Sequence, residues 1–305
     1  MCVFVLLAEQ RFSHGNILVC GCGNFLLRGL EVMFRSPDYT NKIICAQCED
    51  IAFKMPEKYV DLIVTSPPYN IGQNYASHED SMELFDYIEW LGSCFEIFKP
   101  TLKDDARICI NIADSKNGSI PIHIHLTQHL LRVGYNYYTT IVWDKYQVGN
   151  RISWGSYNSP SCPSFPTQFE FILVFYNKEK HKEGEKKNIT LSEDGKEFQS
   201  YSMALWQFNS ETNMKKYGHP AMFPVELPYR CMQMFSYKGD LVFDPFCGLG
   251  TTAIAAHKLG RKFICCDKNQ KYVDLANERL IKEMVNVGNQ GKKAVSPFKA
   301  ANKGK

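Results

Sequence analysis

No stretch of about 18 uninterrupted apolar residues occurs in the sequence, so it offers no candidate membrane-spanning helix. The apolar opening Met1-Cys2-Val3-Phe4-Val5-Leu6-Leu7-Ala8 lacks a basic leader and is too short to span a bilayer. No secretory signal is therefore expected, and the twelve cysteines are read as reduced thiols of a cytoplasmic protein. Neither sign of charge is in excess: 35 Lys and Arg against 32 Asp and Glu leave a formal charge of +3. That balance allows a local basic patch for nucleic acid without arguing for one. No internal repeat is present, which excludes repeat architectures.

Cys20-Gly21-Cys22 and Cys45-Ala46-Gln47-Cys48 could together offer four thiolates to zinc. Both groups sit in or beside the β-like apolar runs Ile17-Leu18-Val19 and Ile43-Ile44. Cysteine in such places behaves as a small core hydrophobe, so no metal is expected.

What is present is an ordinary globular composition, 45% hydrophobic and 22% charged, in a chain of 305 residues. Such a chain is one large domain, or a domain with a substantial insertion. Short apolar runs at 43–45, 60–65 and 106–112 predict buried strands. Between the last two, Leu84, Phe85, Ile88, Leu91, Phe95 and Phe98 recur at helical spacing and Pro100 ends the pattern. A helix over 121–131 ends at Gly134, and strands follow at 138–143 and 169–176. Residues 144–218 are rich in Ser, Asn, Lys, Glu and aromatics, and show little periodicity outside that last strand. They read as loops inserted on a scaffold. Regularity resumes with a helix at 225–235 opened by Pro224, a strand at 240–244, a helix at 251–259 closed by Gly260, a strand at 262–267 and a helix at 270–284. Alternating strands and helices predict an α/β fold with a doubly wound, mostly parallel sheet.

Asp244-Pro245-Phe246-Cys247-Gly248-Leu249-Gly250-Thr251-Thr252 joins a strand to a helix. A glycine turn there lets backbone approach a ligand, and the helix start offers unpaired N–H groups. Asp267 ends the next strand about twenty residues on, where a carboxylate accepts hydrogen bonds from ribose hydroxyls. The third glycine of a dinucleotide fingerprint is missing, as is a P-loop lysine. A nucleoside ligand without pyrophosphate fits, and S-adenosyl-L-methionine is one. A rival glycine turn at 19–24 has no acid at the right distance and reads as a plain turn.

Thr65-Ser66-Pro67-Pro68-Tyr69-Asn70 follows directly from the strand at 60–65. The prolines fix φ and remove two donors, leaving carbonyls to face a ligand. An exocyclic amine on a base is a poor nucleophile because its lone pair is delocalised into the ring. Ser66 Oγ and the Pro67 carbonyl could accept its hydrogens, and Tyr69 could stack on an extruded base.

These motifs resemble those of the amino-group DNA methyltransferases, in the permuted order that places the catalytic loop before the cofactor loop. Asp61-Leu62-Ile63-Val64-Thr65-Ser66-Pro67-Pro68-Tyr69-Asn70 is similar to their catalytic motif, and residues 244–252 to their D-P-F-x-G-x-G-T-T cofactor motif. His219-Pro220-Ala221-Met222-Phe223-Pro224 resembles a third block. The likeness covers most of residues 43–281. It implies a Rossmann-like S-adenosylmethionine methyltransferase sheet, with Ser66, Pro67, Pro68 and Tyr69 catalytic. It implies a cofactor site of Asp244, Pro245, Phe246, Gly248, Gly250, Thr251, Asp267, Phe223, Pro224 and Asn70. Asp50 stands nearest to an acid that the family often has after its first strand. Ser-Pro-Pro-Tyr members mostly methylate cytosine N4 and Asp-Pro-Pro-Tyr members adenine N6. Trp154-Gly155-Ser156-Tyr157 also resembles a segment of the cytosine group.

The implied organisation is an unassigned segment 1–40, a catalytic half 41–143, a loop-rich recognition region 144–218, a cofactor half 219–285 and a basic tail 286–305. Base flipping in double-stranded DNA is expected, with Lys145, Arg151, Trp154 and Ser156, and further Lys178, Lys180 and Lys182, meeting DNA. A cognate restriction endonuclease and a homodimer are expected partners. The rivals are an adenine-N6 or RNA amino-methylase of the same fold, an NAD-dependent oxidoreductase, and a DNA-binding module without activity.

Overall fold

A computed structural model of the chain describes residues 38–69, 82–115, 120–145, 155–165, 167–211 and 222–289. All lie in the unit Ser36–Lys305. The rival turn at 19–24, with Cys20 and Cys22, falls outside the described residues, as do Asn70, Arg151 and Trp154.

Eight strands form one sheet: β1 (Lys42–Cys45), β2 (Val60–Thr65), β3 (Leu102–Ile112), β4 (Asn136–Asp144), β5 (Phe169–Tyr176), β6 (Leu205–Gln207), β7 (Leu241–Asp244) and β8 (Lys262–Asp267). Their order across the sheet is β1-β8-β7-β2-β3-β5-β4-β6. Every pairing is parallel except the two made by β5, which runs against β3 and β4. One reversed strand among eight accounts for the mostly parallel sheet.

Helices cover both faces because side chains alternate along each strand. Ile63, Ile108, Ile110 and Phe243 pack with α1 (Cys48–Ala52), α2 (Leu84–Phe98) and α3 (Ile122–Val133). Leu62, Val64, Cys109 and Val242 face the other way, onto α5 (Glu226–Phe235), α6 (Thr251–Lys258) and α7 (Gln270–Asn289). α2 buries Tyr87, Ile88, Leu91, Phe95 and Phe98, as its helical spacing predicts.

Two features depart from the sequence reading. β3 starts four residues before 106, because Leu102 pairs with Val60 and a register shift admits the polar Lys103, Asp104 and Asp105. Residues 144–218 also hold α4 (Lys196–Tyr201) and β6, which extends the sheet beside β4. β6 is three residues long, too short to show a period. It is anchored by the fully buried Trp206, whose indole Nε1 donates to Tyr201 O at 3.0 Å. Among the described residues no helix is long and apolar enough to cross a membrane.

The chain leaves β2 toward β3 on one side and β7 toward β8 on the other, yet β2 and β7 are neighbours. Their carboxyl ends form a topological switch point, where an open α/β sheet leaves a crevice for ligands.

Candidate active site

Both glycine-turn and proline-loop motifs emerge at that crevice. Thr65 ends β2 and Asp244 ends β7, and Thr65 Oγ1 donates to Asp244 Oδ1 at 2.7 Å. One hydrogen bond thus joins two motifs separated by 179 residues of chain. Asp244 also accepts from the Phe246 backbone N–H at 3.2 Å and from Thr252 Oγ1 at 2.5 Å. Burial pushes its carboxyl up to about 6, against the lowering effect of those donors. Asp244 is fully buried and joins the two loops through these hydrogen bonds.

The proline loop is pinned from two sides. Tyr87, fully buried on α2, donates its hydroxyl to Pro68 O at 2.7 Å. Tyr69 points its hydroxyl inward, donating to Glu170 Oε2 at 2.9 Å and accepting from Ser66 Oγ at 2.8 Å. Only 8% of Tyr69 is exposed. In this arrangement its hydroxyl anchors the loop. Ser66 and Pro68 are half-buried and Pro67 is buried.

On the glycine side, Gly248 and Gly250 adopt φ of 48° and 71°, values that L side chains avoid. Asp267 Oδ2 accepts from the Gly248 N–H at 3.1 Å, and Oδ1 from the Asn269 N–H at 2.8 Å. A carboxylate has about four lone-pair sites, so Asp267 keeps acceptors for a ribose diol. Burial raises its pKa, the two backbone donors opposing the shift. Phe246 packs on Trp90 of α2, centroids 5.8 Å apart. Pro245 and Thr251 are buried, whereas Phe223 and Pro224 are half-buried ahead of α5. Acid, aromatic pair and positive-φ glycines together suit a nucleoside with a short charged tail.

Asp50 stands exposed in the first turn of α1. Its neighbour Glu49 turns inward instead, accepting from Cys48 Sγ at 3.2 Å and Cys94 Sγ at 3.5 Å. The ligand atoms of these three lie within 4.8 Å of one another, a group that differs from the four cysteines considered from the sequence.

Several residues expected to meet DNA are committed elsewhere. Lys145 is ion-paired with Glu170 beneath the proline loop. Ser156 Oγ donates to Ser159 O and accepts from the Cys162 N–H, both at 2.8 Å, so it closes its own loop. Lys178 pairs with Asp104 at 3.0 Å, and Lys182 with Asp61 and Asp240 at 3.3 Å each. Those acids mark the amino ends of β2, β3 and β7, opposite the crevice. The Lys182 side chain is 10% exposed and that of Lys178 is 59% exposed, and Lys180 lies over the Tyr138 ring at 5.9 Å. Tyr87, Asn111 and Glu170 were missed. Their signal was a lone polar group within an apolar run, as in Ile110-Asn111-Ile112 and Phe169-Glu170-Phe171.

A doubly wound sheet with one reversed strand, a glycine turn after β7 and an acid ending β8 define an S-adenosylmethionine-dependent methyltransferase. The chain belongs to the N6/N4 DNA methylase family, which matches residues 60–278. It is 36% identical over 160 residues to the type II methyltransferase M.MjaVI of Methanocaldococcus jannaschii, covering 52% of this chain and 81% of that protein. It is 27% identical over 252 residues to the orphan methyltransferase M.BamHII of Bacillus amyloliquefaciens, covering 72% and 88%. The candidate DNA modification methylase TTHA0409 of Thermus thermophilus, solved with S-adenosyl-L-methionine, superposes with a TM-score of 0.62 at 25% identity, covering 79% and 93%. The protein is a site-specific amino-group DNA methyltransferase that uses S-adenosyl-L-methionine and acts on double-stranded DNA.

Proposed function

We propose that the enzyme methylates the exocyclic N4 of cytosine. The observation that carries this reading is Ser66 at the head of the proline loop, tied through Thr65 and Asp244 to the glycine turn. The resemblance of Ser-Pro-Pro-Tyr to the cytosine-N4 group favours cytosine over adenine.

The cofactor supplies an electrophilic sulfonium methyl, so the protein need only align and desolvate the amine. Ser66 Oγ and the Pro67 carbonyl accept the amine hydrogens and turn its lone pair toward the methyl. Asp267 takes the ribose hydroxyls, and Phe246 with Trp90 packs on the adenine. Phe223 and Pro224 hold the methionine end, and Asn70 completes the site. Residues 41–143 and 219–285 are the catalytic and cofactor halves, with target recognition in 144–218. The type II designation of M.MjaVI supports a restriction–modification setting with a cognate endonuclease.

The test is to incubate the purified protein with S-adenosyl-L-methionine and double-stranded DNA, digest to nucleosides and identify the product by mass spectrometry. N4-methylcytosine is expected. N6-methyladenine alone overturns the choice of base, and no methylated amino group overturns the reading of the site.

A further inference from the structure

A chain of buried polar side chains runs under the proline loop, from Ser66 through Tyr69 to Glu170. Asn111, at the end of β3, donates from Nδ2 to Tyr69 Oη at 2.5 Å and to Glu170 Oε2 at 2.7 Å. Lys145 closes the far side by its ion pair with Glu170 Oε1. Glu170 is the second residue of β5, the one reversed strand. Reversal brings the start of β5 to the edge where β2 and β3 end, which is why an acid there reaches the loop.

The hydrogens in this chain can be counted. A carboxylate only accepts, so the single Tyr69 hydroxyl hydrogen goes to Glu170, and Tyr69 Oη must accept from Ser66. Ser66 has one hydrogen, already given to Tyr69. Toward the crevice it can offer lone pairs alone. The Asn111 amide is fixed in the same way. Its Nδ2 hydrogens face Glu170, Tyr69 and, at 3.5 Å, Ser66 Oγ, while its Oδ1 is buried without a hydrogen-bond partner. Leaving an acceptor in that state is costly, so the orientation is imposed by the acceptors around it.

We infer that Glu170 is a positioning residue for methyl transfer. Acting through Tyr69, it sets the polarity of Ser66 and presents that hydroxyl to the base as an acceptor. The inference rests on the reading of Ser66 as the group that meets the substrate amine. An acceptor at this point suits an N–H and rejects a carbonyl oxygen or a bare ring nitrogen. The chain therefore selects an amino group over the keto oxygens of thymine and guanine before any contact reads sequence. Lys145 balances the charge of the buried acid.

The test compares wild type, E170Q, Y69F and E170Q/Y69F on double-stranded DNA at saturating S-adenosyl-L-methionine. A glutamine turns its NH2 either toward Tyr69, reversing the chain, or toward the Lys145 ammonium, losing the ion pair that holds the acceptor in place, so it disturbs the chain while keeping the shape. E170Q and Y69F are each expected to lower kcat by roughly 10- to 100-fold, a loss in the range of one misdirected hydrogen bond at a reacting centre. The Kd for S-adenosyl-L-methionine should stay within about twofold, since the cofactor contacts lie on other strands. The double variant should be no worse than either single one, because both break the same chain. Additive losses, a wild-type kcat in E170Q, or a cofactor Kd that weakens in step with kcat would each overturn the positioning role. Y69F removes one oxygen and no charge. Should E170Q fail to fold, a wild-type kcat in Y69F overturns the role unaided. A wild-type enzyme that methylates no amino group would instead overturn the proposed function.

Discussion

Asp244 is held without exposed surface by two threonine hydroxyls and a backbone N–H, and its carboxyl titrates at about 6 in place of the ordinary 3.8. The folded chain therefore keeps a proton that the unfolded chain releases between those values. Its contribution to stability is largest below about pH 4, falls as pH rises through the window and is smallest above about pH 6. D244N keeps the shape and has no such ionisation. The stability advantage of wild type over D244N should therefore shrink as pH rises from about 4.5 to 7, by at most about 3 kcal/mol at 1.36 kcal/mol per unit. Urea midpoints across that range check it, and a difference independent of pH would refute the buried ionisation. This residue also shows what sequence could convey. Residue types and spacing announced a ligand turn at 244–252, but which way the Asp244 side chain points depends on Thr65, 179 residues away in the chain. The partners of Tyr69 and Lys145 are illegible for the same reason, since both meet Glu170 on a strand that sequence alone does not orient.

Elements were legible where they were long or sharply bounded. α2 showed its apolar spacing, and the β7–α6–β8 unit showed a strand, a glycine turn, a helix and a closing acid. β6 was hidden because three residues carry no period, and the start of β3 because polar residues pair there through a register shift. Gly250 illustrates a packing demand placed on a junction between elements. It caps α6 at φ 71°, and a Cβ would lie 2.9 Å from Ala276 Cβ on α7 and 3.0 Å from Ile43 Cδ1 on β1. G250A should thus cost about 2 kcal/mol, combining backbone strain with overpacking. It should also weaken cofactor binding, because the turn that presents Gly248 to Asp267 shifts with it. An unchanged denaturation midpoint would show that α7 yields without penalty.

Across the whole molecule the two ends of the sheet divide the work. The carboxyl ends of β2 and β7 meet at the switch point and carry Ser66, Asp244 and the turn to Asp267. At the amino ends, the segment after β5 folds back and sets Lys182 among Asp61 and Asp240 at 3.3 Å and Asp105 at 3.8 Å, while Lys103 adds a 2.7 Å pair to Asp61. Asp61 also accepts from the Leu241 backbone N–H at 2.9 Å, so this cluster ties β2 to β7 below just as Thr65 and Asp244 tie them above. Only 10% of the Lys182 side chain is exposed, too little for it to reach a phosphate. Removing its charge would strand buried carboxylates, a change that costs about 3 kcal/mol in comparable buried pairs. K182M should accordingly lower the thermal midpoint while leaving kcat and the DNA KM of the folded enzyme as in wild type, together with their salt dependence. A lysine that touched DNA would do the reverse, raising KM and flattening its salt dependence by about one counterion. Measuring both properties on one variant decides whether Lys182 serves the fold or meets DNA.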